Sequence, residues 1–413
     1  ALQVDLWADT NQDADGIVYI ESESIDTNGG DLTFGKNGQT ASVGGETILV
    51  GGDVFFQRST SAQTLTTAGG DLNIYGETIV ATTDGTTFDT SGPTDGSLTL
   101  HGVLNAGNQY TYVDKTGSAG SGSWNEARTD AKDGTDGGSA TGHSYLVNIT
   151  SRLENSIAGL TANYRGAWIG AYRNDDKTSS GPEWYWADGP ESGDHFFTEV
   201  SAGGGSAESG YYSNFGSGEP DRFNCVSNCE SVGQFFGSEG QWNDLRVDTT
   251  YSASQDTIFR VLGFVRETNL NASPVTLNSG SQPTLIHGGV GTSKAIASLN
   301  VTSSATTING NGVVTTGAQT YSSSLTVNSV GSTEQVKISA GGGNGISAGG
   351  DIEIFGDKID LGADLNTSTA NGNILLEAST LIDVVGADRT LNSGSGDITI
   401  TTNEVDRNNR VAI

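Results

Sequence analysis

The sequence predicts a mostly β protein, in which a parallel β-helix (β-solenoid) is interrupted by an α+β domain. Both ends of the 413-residue chain repeat short strand patterns, glycine is abundant at 60 residues, and the middle alone carries clear helix signals. A fixed period in glycine-rich β sequence is typical of solenoids. From the changes in composition we expect the solenoid in residues 1–106 and 268–413, and the inserted domain in residues 107–267.

A turn of glycine followed by aspartate or asparagine precedes many of the predicted strands at the two ends of the chain. It recurs with a period near 20 residues, as in Gly30-Asp31, Gly52-Asp53, Gly70-Asp71, Gly350-Asp351, Gly372-Asn373 and Gly396-Asp397. Apolar residues alternate after each turn, so one row of side chains faces inward and neighbouring coils pair in parallel. The alternative, a calcium-binding nonapeptide array, lacks its second glycine-aspartate spacing here. We therefore interpret the turns as corners.

The middle of the chain shows a different pattern. Ser123 and Ser151 each precede a helical stretch and are followed three residues later by glutamate, which is a capping box. The second stretch places Leu153, Ile157 and Leu160 on one face. Aromatic-rich strands are predicted at 167–170, 183–186 and 258–265.

Charge excludes several classes of partner. The formal net charge is −30, which disfavours nucleic acid and anionic membranes. No apolar run approaches the length of a membrane span. The chain begins at Ala1 without methionine, which we interpret as a processed or excised piece. The four histidines are scattered without a triad or metal cluster, and we predict no enzymatic reaction.

The middle segment resembles a C-type lectin-like domain over about 160 residues. Seven landmarks follow the order of that family: Trp124-Asn125-Glu126-Ala127, Leu153-Glu154-Asn155, Trp168-Ile169-Gly170, Trp186-Ala187-Asp188-Gly189, Asn214-Phe215, Gly218-Glu219-Pro220-Asp221 and Trp242-Asn243-Asp244. The resemblance implies paired first and last strands, a cis proline at Pro220, and sugar hydroxyls that bind a calcium ion directly.

Five residues supply the oxygen ligands that suit Ca²⁺. The candidates for both calcium and carbohydrate binding are Glu219, Asp221, Glu230, Asn243 and Asp244. Trp242 is expected to be buried beside them and to hold the strand. The triplet Glu219-Pro220-Asp221 is a hybrid of the family's mannose-type and galactose-type triplets, so the sugar class stays open, as does the alternative of a lectin-like fold that binds no metal.

Two further features have open alternatives. Cys225 and Cys229 are the only cysteines, and a local disulfide in an exported protein is favoured over two free thiols. The segment 9–16 alternates oxygen-bearing side chains as a calcium loop does, but Ser22 stands where a closing glutamate is expected. An acidic turn is the equal alternative there.

The flanking segments resemble filamentous-haemagglutinin-like bacterial adhesins, on motifs such as 313–321 and 396–400. The resemblance implies an extracellular adhesin or surface-fibre protein, whose lectin-like domain binds glycans on a cell, matrix or biofilm surface with Ca²⁺ as cofactor. The alternative is a structural filament subunit that polymerises through its solenoid. In that case the lectin-like domain is decoration or a lateral contact.

Overall fold

A computed structural model describes most of the 413 residues. The described part of the chain omits residues 1–2, 7–16, 36–39, 44–45, 50–52, 59–60, 119–121, 134–143, 175–181, 202, 222–228, 237–239, 253–259, 271–272, 330–334, 341–344, 406–410 and 413.

The chain is mostly β and contains extended parallel sheets, which confirms that part of the prediction. It divides into two compact units, one of Ala1–Gly107 with Leu270–Ile413 and the other of Asn108–Asn269. No helix in the described ranges is long and apolar enough to cross a membrane.

The first unit contains three series of parallel strands, and successive members of a series come from successive stretches of chain. The first series is Val4–Leu6, Leu32–Phe34, Leu72–Ile74, Leu98–Leu100, Thr284–Ile286, Ala305–Asn309, Ser324–Asn328, Ile352–Gly362, Ile374–Val384 and Ile398–Thr401. The second is Ile17–Ile20, Asp53–Arg58, Thr78–Thr82 and Leu104–Ala106, then Gly312–Thr315, Gln335–Ala340 and Glu404–Val405. The third is Ser24–Asp26, Gln63–Thr66, Thr86–Asp89, Pro274–Asn278, Ser298–Thr302, Gln319–Tyr321, Ile346–Ala348, Leu365–Asn366, Arg389–Asn392 and Val411–Ala412.

Some strands depart from this plan. Ile352–Gly362 and Ile374–Val384 are long enough to pair in both the first and the second series. Thr40–Val43 and Glu46–Leu49 form an antiparallel hairpin. The third series continues directly from Thr86–Asp89 to Pro274–Asn278, so the parallel ladder resumes after the second unit has been traversed.

Alternation along the strands builds the core of this unit. Leu32, Leu72 and Leu98 occupy matching positions in neighbouring strands, and each is at most 1% exposed. The inward rows of all three series join in one apolar cluster. Burial of these rows supplies the main driving force for the parallel stack.

The glycine-aspartate turns lie where neighbouring stretches of backbone come close together. A Cβ on Gly70 would lie 2.3 Å from the carbonyl oxygen of Gly30. Asp31 Oδ1 accepts a 2.9 Å hydrogen bond from the main-chain N–H of Asp71, and Asp71 Oδ1 accepts one of 2.7 Å from that of Ser97. These contacts join successive turns, which supports the corner interpretation of the repeat.

The second unit combines two helices with an antiparallel-dominated sheet. Helix α1 is Trp124–Asp133, helix α2 is Arg152–Thr161, and a short 3-10 helix spans Thr116–Ser118. The strands are Gln109–Asp114, Ser144–Leu146, Ala167–Asn174, Glu183–Trp186, His195–Ser201, Gly204–Ala207, Glu230–Phe236, Gln241–Arg246 and Gly263–Thr268. The first and the last of these pair antiparallel, so the unit's two ends emerge side by side.

The helix caps agree in part with the sequence prediction. Ser123 and Glu126 bond to each other, and the Glu154 N–H donates a 3.1 Å bond to Ser151 Oγ. The expected apolar face of α2 was wrong at Leu160, which is 38% exposed, because the buried face is turned toward Asn155 and Ile157. The last strand begins at Gly263, later than predicted.

Candidate metal and carbohydrate site

Two segments of the second unit bring the candidate ligands together. One is the turn at 216–221, and the other is the hairpin of Glu230–Phe236 and Gln241–Arg246. Main-chain hydrogen bonds join the turn to the hairpin, since Gly216 N–H donates to Trp242 O at 2.9 Å and Trp242 N–H donates to Asn214 O at 2.8 Å. The Glu219–Pro220 peptide bond is cis.

Three carboxylates converge at this point. One oxygen each from Glu219, Asp221 and Asp244 lies within 4.8 Å of the others, and they form the one group of three or more acidic, histidine or cysteine ligands found among the described residues. We call these three residues the acidic group. Asp244 is fully buried, whereas Glu219 and Asp221 are partly exposed. The carboxylates of Glu219 and Asp221 are therefore accessible to an ion from solvent, and that of Asp244 is held in the protein interior.

Burial and the neighbouring carboxylates together disfavour the charged form of Glu219. Burial, followed by the charges of Asp221 and Asp244, raises the pKa of Glu219 from 4.5 to about 7. Glu219 Oε2 is buried and has no hydrogen-bond partner. Three close carboxylates with an unpartnered oxygen are costly in isolation and are relieved by a bound cation.

Trp242 holds the strand that carries Asp244. It is fully buried, as predicted, and its ring contacts those of Trp186, Phe196, Tyr212 and Phe215 at centroid distances of 5.6–6.1 Å. The indole Nε1–H donates a 2.8 Å hydrogen bond to Asn155 Oδ1. The strand is therefore fixed by packing and by one specific polar contact.

Asn155 is a supporting residue that the sequence analysis did not single out as functional. It lies on helix α2, 87 positions before its indole partner. The only signal was its position beside Glu154 within a family landmark, and that pattern does not reveal a hydrogen bond across the fold.

The other predicted ligands lie in different positions. Asn243 is buried next to Asp244, and its Nδ2 donates a 2.8 Å hydrogen bond to the Asp244 carbonyl. Glu230 does not belong to the acidic group. It begins its strand directly opposite Arg246 and is 9% exposed. Pairing in the hairpin therefore places Glu230 in register with a cation.

Several predictions fall wholly or partly outside the described residues. Cys229 is disulfide-bonded, but its predicted partner Cys225 lies outside the described part of the chain. The segment 9–16, proposed as a calcium loop or an acidic turn, lies outside it as well.

Comparisons with known proteins give weak structural neighbours. No family model matches the chain, and no curated protein matches it. The chain is similar to the carbohydrate-recognition domain of the mouse scavenger receptor C-type lectin, with 23% identity, 36% of this chain and 82% of that one covered, and a TM-score of 0.23. It is also similar to the cow C-type carbohydrate-recognition domain of CD23, solved in the presence of GlcNAc2Man3 oligosaccharide, with 21% identity, coverages of 40% and 87%, and a TM-score of 0.24.

Proposed function

We propose that the second unit is a C-type lectin-like domain that binds carbohydrate in a calcium-dependent manner. The observation that carries the proposal is the convergence of Glu219, Asp221 and Asp244, together with the unpartnered buried oxygen of Glu219. Carboxylate oxygens are the donors that Ca²⁺ prefers, and a divalent cation neutralises the repulsion among them.

Several residues of the second unit would contribute to binding the ion and the sugar. Glu219, Asp221 and Asp244 would hold the ion, and Asn243 lies next to Asp244 with an amide that is able to contribute an oxygen. Calcium, when bound, would supply coordination positions for sugar hydroxyls. Carboxylates are strong acceptors, so the same side chains would also receive hydrogen bonds from those hydroxyls. The buried aromatic rings around Trp242 keep the hairpin rigid.

We further propose that the three parallel strand series form a β-solenoid and that the protein acts outside the cell as an adhesin. The regular parallel register and the single inward apolar cluster support the solenoid. The net charge of −30 suits a surface exposed to cations, and a disulfide at Cys229 suits an oxidising compartment. The ligands proposed are glycans on a cell, matrix or biofilm surface.

A glycan array with and without EDTA tests the lectin proposal. The variants are Asp244→Asn and Asn243→Ala, and Asp248→Asn is the matched control, since Asp248 is a nearby exposed carboxylate that pairs with Arg246. We expect EDTA-sensitive binding to some glycans by the wild type and the control, and loss of that EDTA-sensitive binding with the first two variants. The proposal is contradicted if EDTA reduces the binding of no glycan on the array.

A filament subunit is the second candidate function. Among the described residues, Val4–Leu6, Ile17–Ile20 and Ser24–Asp26 each pair with a strand on one side only. Unpaired edges of parallel strands are templates for another chain. Electron microscopy of the purified protein decides between the two: regular fibres support the subunit, and monodisperse particles support the adhesin.

A further inference from the structure

The first unit contains a groove that is separate from the acidic group of the second unit. It has a volume of about 680 Å³ and lies where Ile352–Gly362, Ile374–Val384 and Ile398–Thr401 run side by side. Its lining includes Phe355, Asp357, Glu377, Ser379, Thr402 and Asn403.

The register of the strands aligns four lining residues of the groove in one row. Asn328, Phe355, Glu377 and Thr401 occupy matching positions in four neighbouring strands. At the usual separation of paired strands, this row is roughly 14 Å long. The row presents four different side chains at a regular spacing along one line, which suits an extended chain molecule.

Two small residues, Gly356 and Ala378, are part of the lining of the groove. Gly356 lies beside Ala378 in the register, directly after the row described above. A Cβ on Gly356 would lie 3.0 Å from a methyl group of Val336 and 3.1 Å from the Lys358 carbonyl oxygen. A side chain at this position would press on Val336, a member of the buried apolar cluster, and on the neighbouring backbone.

Polar contacts fix the side chains around the groove. Ser379 Oγ donates to Asp357 Oδ1, Thr380 Oγ1 donates to the Asp357 carbonyl at 2.8 Å, and Asn403 Nδ2 donates to the Ser379 carbonyl at 2.6 Å. Glu377 is exposed, and Phe355 is partly exposed. The groove thus combines oriented hydrogen-bonding groups with one accessible aromatic ring.

Charge limits the class of ligand. The described lining carries two carboxylates, Asp357 and Glu377, and no basic side chain. The nearby Lys358 ammonium pairs with Asp360 at 3.0 Å and with Asp383 at 3.3 Å. An anionic polymer is therefore disfavoured, whereas the hydroxyls of an uncharged sugar are suitable donors to carboxylates.

We propose that this groove binds an uncharged glycan chain and does so without a metal ion. The Phe355 ring provides an apolar face for a sugar ring, and the carboxylates of Asp357 and Glu377 accept hydrogen bonds from its hydroxyls. The site is additional to the calcium-dependent one, so the protein holds glycan at two places with different requirements.

The test uses the full chain carrying Asp244→Asn, in EDTA, so that the calcium site is disabled. Neutral oligosaccharides on an array identify a ligand, and titration calorimetry with that ligand gives its affinity. We expect Phe355→Ala and Glu377→Gln each to weaken binding by about threefold to tenfold, the range expected from loss of one stacking or hydrogen-bonding contact. Val385→Ala, which truncates an exposed apolar residue outside the lining, should bind as its parent does.

Two results would overturn the proposal. One is the absence of any neutral glycan that binds under these conditions. The other is unchanged affinity in Glu377→Gln. Glu377 is exposed, so this substitution should leave the folding of the protein unchanged. Neither result bears on calcium-dependent binding, which is measured with Ca²⁺ and an intact Asp244.

Discussion

Asp244 Oδ1 accepts a 3.0 Å hydrogen bond from the main-chain N–H of Asp221. One carboxylate therefore both belongs to the acidic group and anchors the backbone of the turn that supplies Glu219 and Asp221. The positions of the ligands and the conformation of the turn depend on the same side chain. Loss of the Asp244 side chain should therefore destabilise the site more than loss of the Asp221 side chain.

The first prediction compares Asp244→Ala with Asp221→Ala. Both variants should lose calcium binding, but only Asp244→Ala removes the acceptor of the Asp221 N–H. In EDTA, hydrogen exchange of the Asp221 amide should be about tenfold faster in Asp244→Ala than in the wild type, because this partly buried N–H loses its acceptor, at a cost of about 1–3 kcal/mol. Equal exchange in the wild type and Asp244→Ala would show that the contact does not hold the turn.

The second prediction concerns pH and calcium. The pKa of Glu219 is about 7 in the folded protein and 4.5 ordinarily, so the folded form binds this proton more tightly than the unfolded chain does. The contribution of Glu219 to the stability of the calcium-free protein is therefore highest at low pH and declines as the pH rises from 4.5 to 7. Calcium should raise the melting temperature more at pH 8 than at pH 5.

Glu219→Gln is the control for that experiment. Without calcium it should flatten the part of the pH dependence between 4.5 and 7, and calcium should no longer raise its melting temperature. A calcium effect of equal size at both pH values in the wild type would mean that Glu219 does not exchange its proton for the ion.

The third prediction concerns an aromatic stack in the first unit. The His101 ring stacks on Tyr75 at 3.9 Å and on His287 at 5.2 Å. Burial, and then the charge of His287, lowers the pKa of His101 from 6.5 to about 4. The folded form binds this proton less tightly than the unfolded chain does. The contribution of His101 to the stability of the folded protein is therefore present above pH 6.5 and is lost as the pH falls towards 4.

Hydrogen exchange of the peptide that contains 98–106 measures this effect, after correction for the intrinsic pH dependence of exchange. Protection should fall between pH 7 and pH 5 in the wild type and should stay constant in His101→Phe, which keeps the stack without a titratable ring. A parallel fall in both proteins would assign the effect to another group.

The fourth prediction concerns the corners of the parallel stack. A Cβ on Gly372 would lie 2.3 Å from the Gly350 carbonyl oxygen, so Gly372→Ala should destabilise the first unit by about 1–3 kcal/mol. Gly117→Ala is the control, because a Cβ there meets nothing within 4 Å. Calorimetric unfolding of both variants gives the comparison, and equal stability would remove the steric argument.

The sequence predicted the parts of the structure that local pattern determines. Alternation after each glycine-containing turn was enough to place Leu32, Leu72 and Leu98 inward, because side chains in a strand alternate between its two faces. Residue type, together with the resemblance to the C-type lectin-like landmarks, selected Glu219, Asp221 and Asp244, which the fold does bring together.

The pairing of strands that are distant in sequence determines the features that the sequence analysis did not predict. Glu230 was selected as a ligand by its chemistry and stays a prediction, and the sequence did not reveal that the pairing of the hairpin sets it opposite Arg246. Phe355 follows an alternating strand pattern, and its position in a groove depends on three further strands that lie up to 46 residues away in sequence. A single chain's pattern does not specify such neighbours.

Calcium titration calorimetry on the metal-free protein tests the central claim most directly. The wild type and Asp248→Asn should bind Ca²⁺ with release of about half a proton at pH 7, because the pKa of Glu219 is about 7. Asp244→Asn should show no binding at the same concentrations. Equal binding in all three proteins, or no calcium heat in the wild type, would contradict a calcium site at Glu219, Asp221 and Asp244.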